Sequence, residues 1–255
     1  SKGLQTASDN PSVTINAVAG DDVINATEVT QDQVISGSVT HAEAGQTVTV
    51  TVGGKTYTAQ VQSDFTWSIT VPAADLAAMG DGSLNISASV TNVSGNEGSG
   101  DRTIAIDAAL PGLRIGTIAG DDIVNSIEIQ QNQIISGTSN GLAAGSSVTV
   151  TVNGIDYQAT VGVNGNWSAP VPAADVANWP AGELAVSVTG VSQAGNSVTI
   201  SNTITVDLTS VASAIDSVST DNMLNASEKA ADLTLSGTTQ NVEAGQNVTV
   251  IFAGH

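Results

Sequence analysis

Apolar and polar residues alternate with a period of two along most of this chain. In the stretch TVTVTV, Val48, Val50 and Val52 fall on one side and Thr47, Thr49 and Thr51 on the other, the pattern of a strand buried on one face. Gly53 and Gly54 follow, and alternation resumes through Tyr57, Ala59 and Val61; at the same place one hundred residues later stands Asn153-Gly154. Asn-Gly between alternating runs predicts a hairpin, because a type I′ turn needs positive φ at both central residues. Phe65, Trp67, Ile69 and Val71 are expected to share a face, as are Leu84, Ile86, Ala88 and Val90. Strands are predicted near residues 13–18, 33–39, 46–52, 56–61, 66–71, 83–91 and 102–106.

The whole pattern then repeats. AGDDVINATEVTQDQVISGSVTHAEAGQTVTVTV from residue 19 aligns without gaps on AGDDIVNSIEIQQNQIISGTSNGLAAGSSVTVTV from residue 119, and STDNMLNASEKAADLTLSGTTQNVEAGQNVTVIF from residue 219 is a third copy. Gly37 and Gly137, Tyr57 and Tyr157, Trp67 and Trp167, and Asp107 and Asp207 each differ by 100. About seven strands per hundred residues suit an all-β fold of tandem immunoglobulin-like Greek-key β-sandwiches, two complete and one incomplete, better than a barrel. The expected domains are 1–110, 111–210 and a partial third repeat at 211–255 holding its first three strands. Short linkers near Asp107 and Asp207 predict a rod rather than loosely tethered beads. Three strands leave half a core open, so the natural chain is expected to be longer.

Charge narrows the partners. The 255 residues carry 24 acids against 5 bases, a net charge of −19, which repels phosphate backbones and anionic membranes and leaves no basic patch for nucleic acid. No cysteine is present, which excludes disulfides and thiolate metal sites, and the two histidines, His41 and His255, are too few for zinc. No apolar run approaches the roughly 20 residues that span a bilayer, so no membrane insertion is expected. Cations are the natural partners of such a chain.

They have an obvious place to bind. Asp21 and Asp22 stand side by side, with Asn25 and Glu28 close behind, at the turn between the first and second predicted strands. The last strand is expected to end at the same pole with Asp107, and Asp75 in VPAAD is expected to face it. The second copy repeats the set as Asp121, Asp122, Asn125, Glu128, Asp175 and Asp207; the third keeps Asp221, Asn225 and Glu228 but has Asn222 in place of an aspartate. Hard oxygen donors on loops suit Ca2+, whose coordination is flexible and takes six to eight oxygens, better than Mg2+. The spacing is not that of an EF-hand. Against this stands turn chemistry: Asp and Asn favour turns and cap them with their own side chains.

Other residues point elsewhere more weakly. Trp67 and Trp167 are in phase with apolar neighbours and belong to cores. Trp179, where the first copy has Met79, is a core residue or a lone sugar-stacking platform. Paired carboxylates could serve a glycosidase, but a catalytic site is built once in a cleft, and these acids recur in every unit, so no enzyme is expected.

The repeated AGDDxxNxxE, the SG before a loop ending in AGxxVTVTVxG, the Trp-Ser after an Asn- or Asp-containing turn and the closing Asp resemble the bacterial Ig-like repeats of giant adhesins exported by type I secretion. The resemblance covers nearly the whole chain. It implies a secreted protein at the bacterial cell surface, a stalk of neighbouring repeats stiffened by calcium at the junctions, and contact with host-cell surface glycans through other repeats. It places ligands at Asp21, Asp22 and Asp107 and at Asp121, Asp122 and Asp207, with Glu28 and Glu128 as further members. The alternative is a glycan- or protein-binding module near the adhesin tip.

Overall fold

The computed structural model describes residues 9–209, 212–216, 222–229 and 232–252. The first repeat has eight strands: β1 (Ser12–Ile15), β2 (Val23–Asn25), β3 (Gln33–Thr40), β4 (Thr47–Val52), β5 (Lys55–Gln60), β6 (Thr66–Val71), β7 (Gly82–Thr91) and β8 (Glu97–Asp107), with helix α1 (Ala73–Met79) between β6 and β7. One sheet runs β1-β3-β6, the other β2-β8-β7-β4-β5. The second repeat copies this with β9 (Gly112–Ile115), β10 (Ile123–Val124), β11 (Gln133–Asn140), β12 (Ser147–Val152), β13 (Ile155–Thr160), β14 (Asn166–Val171), α2 (Ala173–Val176), β15 (Gly182–Val191) and β16 (Ser197–Val206).

The eighth strand is the difference from the sequence reading. The expected first strand ends at Ile15, and β1 pairs antiparallel with β3 in one sheet; the chain then crosses to the other, where β2, in a stretch expected to be a turn, runs parallel to β8. The crossing happens at Ala19, Gly20 and Asp22, all at positive φ. A strand of three residues has too short an alternation to be seen by periodicity.

Each core lies between its two sheets. Val48, Val50 and Val52 are buried, as are Trp67, Ile69 and Val71 opposite them. Phe65 does not join that face. It sits at φ 64 in the β5–β6 turn, half exposed, where the second repeat has Gly165 at φ 80. Gly53 and Gly54 (φ 56 and 79) and Asn153 and Gly154 (φ 50 and 76) form the expected I′ hairpins. Gly37 is required for packing: a Cβ there would lie 1.8 Å from the Thr14 carbonyl and 2.7 Å from Trp67 Cζ2. Gly137 meets Arg114 and Trp167 in the same way, at 1.8 and 2.6 Å. The tryptophan occupies the space a side chain would need at this position, and β1 or β9 closes in from the neighbouring strand.

In the third copy β17 (Ala212–Ile215) pairs antiparallel with β18 (Gly237–Gln240), and helix α3 (Ala226–Lys229) lies between them. The third strand expected there is not formed: residues 246–252 are described but unpaired. In the first repeat the equivalent β4 is held between β5 and β7.

Candidate metal centre at the repeat junctions

The parallel pairing of β2 with β8 assembles the acidic pole. It sets Asn25 opposite Asp107, so the AGDDVINATE loop and the final carboxylate of the last strand share one end of the repeat. In the second repeat β10 lies against β16 in the same register, and the Asp207 amide donates to the Val124 carbonyl at 2.9 Å. We call this end the foot.

The residues of the motif have different occupations. Asp21 and Asp121 each accept the amide two residues on, from Val23 and Ile123 at 3.0 Å, and stay exposed. Asp22 and Asp122 are at φ 63 and 61, and each turns back to accept the amide of Val18 or Ile118, at 2.9 and 2.8 Å. Asp22 is also gripped by Arg102, whose Nε and Nη2 reach both carboxylate oxygens, the shortest contact at 2.6 Å. That guanidinium, with the Val18 amide behind it, holds the Asp22 carboxyl below the usual carboxylate range. So the second aspartate of each pair caps a left-handed turn within its own repeat. Asn222 occupies the same position at φ 59, which is why asparagine can replace aspartate there.

Asn25 and Glu28 form a reciprocal capping box around a 3-10 turn, Glu28–Thr30. The Asn25 side-chain oxygen accepts the amides of Thr27 and Glu28 (3.1 and 3.0 Å), and Glu28 Oε1 accepts the Asn25 amide (3.0 Å). Asn125 and Glu128 do the same, as do Asn225 and Glu228. The N-x-x-E spacing is a capping signature legible in the sequence. Gln33 and Gln133 brace the box by donating to the Glu28 and Glu128 carbonyls, a role that only their period-100 recurrence could have signalled.

Asp75 and Asp175 have partners of their own. Asp75 is in the first turn of α1, but its carboxylate is bound to Lys55 Nζ (2.6 Å) and Tyr57 Oη (2.7 Å) on β5. These two, Lys55 first, lower its pKa. Burial, then the bond to Asp75, pushes Tyr57 up to about 12; Tyr157, bonded to Asp175 at 2.8 Å, rises to about 12 for the same reasons. Trp179 is 3% exposed and packs in the second core, so it presents no platform. His41 is exposed at φ 55, a left-handed position shared with Gly141 and Asn241. Asp221 lies outside the described residues.

What remains at the feet is Asp21, Glu28 and Asp107 in the first repeat and Asp121, Glu128 and Asp207 in the second. The third copy adds a residue that sequence reasoning missed. Glu243 lines one cleft with Asn125 and Ile127 of the second repeat; the neighbouring Asp121 first, then burial and the charges of Glu128 and Asp207, push its carboxyl up to about 7. Position 43 is glutamate too, but position 143 is alanine, so the second repeat offers no such group to the first foot. Asp107 and Asp207 use one oxygen each on the amides of Ala109 and Thr209, at 3.2 and 3.0 Å. Among the described residues no three carboxylate or imidazole side chains are already gathered to hold an ion. All donors are hard oxygens on loops and strand ends, which fits calcium.

The first junction is closed by Asn196, in the turn between β15 and β16. Its Nδ2 donates to the carbonyls of Asp107 (2.9 Å) and Ala109 (2.7 Å), and its Oδ1 accepts the Ala26 amide (2.7 Å).

No family model and no curated protein matches the chain. Solved structures do. The chain is 31% identical to a Ca2+-stabilized adhesin that helps an Antarctic bacterium reach out and bind ice; the match covers 91% of this chain and 58% of that one, with a TM-score of 0.51. It thus spans a little over half of that structure's length. It is 33% identical to a structure of a 1.5-MDa bacterial ice-binding adhesin, covering 91% of this chain and 76% of that one, with a TM-score of 0.50. A bacterial immunoglobulin-like domain from the M. primoryensis ice-binding adhesin is 33% identical over 38% of this chain and 97% of its own, with a TM-score of 0.33. Among the described residues no helix is long and apolar enough to cross a membrane.

Proposed function

The chain belongs to the tandem immunoglobulin-like repeats of large bacterial adhesins, and we propose that it is a length of stalk whose junctions are stiffened by calcium. The observation that carries the reading is the second foot, where Glu243 of the third copy shares a cleft with Asn125 and Ile127 of the second repeat's acidic loop, within electrostatic reach of Asp121, Glu128 and Asp207. Carboxylates facing one another across a domain boundary are costly until a cation neutralises them, and a cation held by both sides would tie the two repeats together. The related Antarctic adhesin is described as Ca2+-stabilized, which supports the same ion here. When bound, calcium would supply positive charge and oxygen coordination. Asp121, Glu128, Asp207 and Glu243 would hold it at the second junction, and Asp21, Glu28 and Asp107 at the first.

The role is mechanical, not catalytic. Strands of about nine residues rise roughly 3.3 Å each, so each sandwich adds on the order of 30 Å of reach. Extracellular calcium modules bind at about 10⁻⁴ to 10⁻³ M, so such sites fill outside a cell and empty inside it. That matches secretion through a type I channel in a flexible state and stiffening at the bacterial surface. The motifs most resemble those of the Salmonella non-fimbrial adhesin SiiE, then BapA-like biofilm adhesins, and host-cell adhesion through a distal region is the corresponding function. A glycan-binding role for these repeats loses its one hint, since Trp179 is buried.

Small-angle scattering of the chain in calcium and in chelator tests the reading, with Asp121→Ala/Asp207→Ala and Glu243→Ala as variants. Calcium is expected to raise the maximum dimension and reduce flexibility in the wild type and to do neither in the variants. A wild-type profile indifferent to calcium would sink it.

A further inference from the structure

We infer that Asn196 is a metal-independent latch that fixes the first repeat against the second. The inference rests on the stalk reading but not on calcium binding. Asn196 is 3% exposed, although it lies in a turn at the end of a sandwich where polar residues ordinarily meet water. All three of its side-chain hydrogen bonds leave its own sandwich. They engage the Ala26 amide and the Asp107 carbonyl of the first repeat's foot and the Ala109 carbonyl of the linker. The turn that presents it is closed by the bonds of the Ser192 amide to the Asn196 carbonyl (2.8 Å) and the Gly195 amide to the Ser192 carbonyl (2.9 Å). The backbone that carries the side chain is therefore fixed within its own repeat. Gly195 lets the turn approach closely, since a Cβ there would come within 3.1 Å of Asn25 Nδ2.

The first repeat provides the comparison, since among the described residues no repeat's foot stands against its turn. Its turn closes in the same way, the Asn92 amide on the Asn96 carbonyl and the Gly95 amide on the Asn92 carbonyl. There Ser94 is exposed and Asn96 half-buried, whereas Ala194 and Asn196 are buried. The foot of the neighbouring repeat makes that difference.

The acids at this joint come from one side of it. Asp21, Glu28 and Asp107 all belong to the first repeat, and the place from which Glu243 reaches the next foot is filled by Ala143. An ion on the first foot would relieve repulsion within one repeat, while Asn196 carries the connection to the other. A neutral amide suits the task because it both donates to carbonyls and accepts from an amide, which a carboxylate cannot do.

The full chain contains no cysteine, so Thr56→Cys and Thr160→Cys, both at exposed positions, place one spin label on each repeat. In chelator the wild type is expected to give a single narrow distance distribution and a protected Ala26 amide in hydrogen exchange. Asn196→Ala should broaden the distribution and speed Ala26 exchange at least tenfold. Asn196→Asp keeps the acceptor for Ala26 but turns an oxygen toward two carbonyls, and should broaden the distribution as well. Asn96→Ala, the same turn position in the first repeat, should change neither readout. The inference is overturned if the wild type is already broad in chelator and narrows only with calcium, or if both Asn196 variants stay narrow with Ala26 protected. A chain that is narrow in chelator and shows no response to calcium in scattering would refute the calcium reading and leave the latch standing.

Discussion

The two neighbouring aspartates of each foot should fail in opposite ways, and Asp122→Ala is the sharper test. Its carboxylate accepts the Ile118 amide at 2.8 Å, and Ile118 is fully buried, so alanine strands an amide away from water at a cost of about 1–3 kcal/mol. The residue also sits at φ 61, where alanine is disfavoured by roughly 1–2 kcal/mol and aspartate or asparagine less so. Together these come to about 3 kcal/mol, and with about 4–8 °C per kcal/mol for a domain of this size the second repeat should melt about 15 °C lower. Asp122→Asn keeps both the acceptor and the tolerance of positive φ, as Asn222 does naturally, and should cost less than about 1 kcal/mol. Calcium affinity should stay within about twofold in both variants, because the carboxylate is turned inward. Calorimetry with and without calcium, alongside calcium titration, reads all of this. The reasoning is refuted if metal-free melting is unchanged in both variants while calcium affinity falls tenfold or more, since the carboxylate would then be a ligand. Asp22→Ala should repeat the result in the first repeat, with Arg102 losing its partner in addition, a partly exposed pair that solvent screens.

Two further outcomes follow from the geometry. Gly137→Ala drives a Cβ into the Arg114 carbonyl and Trp167, so it should destabilise the second repeat by about 3 kcal/mol or more, with the first repeat's transition as internal control; two unchanged transitions would mean that β9 shifts freely. Tyr57 and Tyr157 have folded pKa values raised to about 12 from 10, so the stability they contribute is complete below about pH 10 and is lost as pH rises through 12. Ultraviolet titration should show both ionising near 12 and Asp75→Asn lowering only Tyr57; ionisation of both near 10 would contradict the burial described.

Much of the fold was legible because it depends on local periodicity. Alternating valines, Asn-Gly turns and a register of 100 residues define sandwiches in tandem, and the buried tryptophans came with them. Phe65 was misplaced because alternation cannot show where a strand yields to a left-handed turn. The short strand β2 was missed for lack of length, and with it the reason that Asp107 meets the acidic loop. The candidate site was visible as composition but not as roles. Asp21 and Asp22 are adjacent in the chain, yet one faces solvent and the other caps a turn, a division made by a single positive φ.

The sequence by itself determined the unit, its strand pattern, its charge and the recurrence of acids at one place in each copy, since all of these reside in neighbouring residues or in self-comparison. Only the tertiary structure decided which acids are occupied. Arg102 reaches Asp22 across 80 residues, Lys55 and Tyr57 claim Asp75 from another strand, and Glu243 arrives from the next copy. The junction is the extreme case. Asn196 bonds to Ala26, 170 residues away in the chain, and no local pattern encodes a contact that exists only when one repeat stands on another.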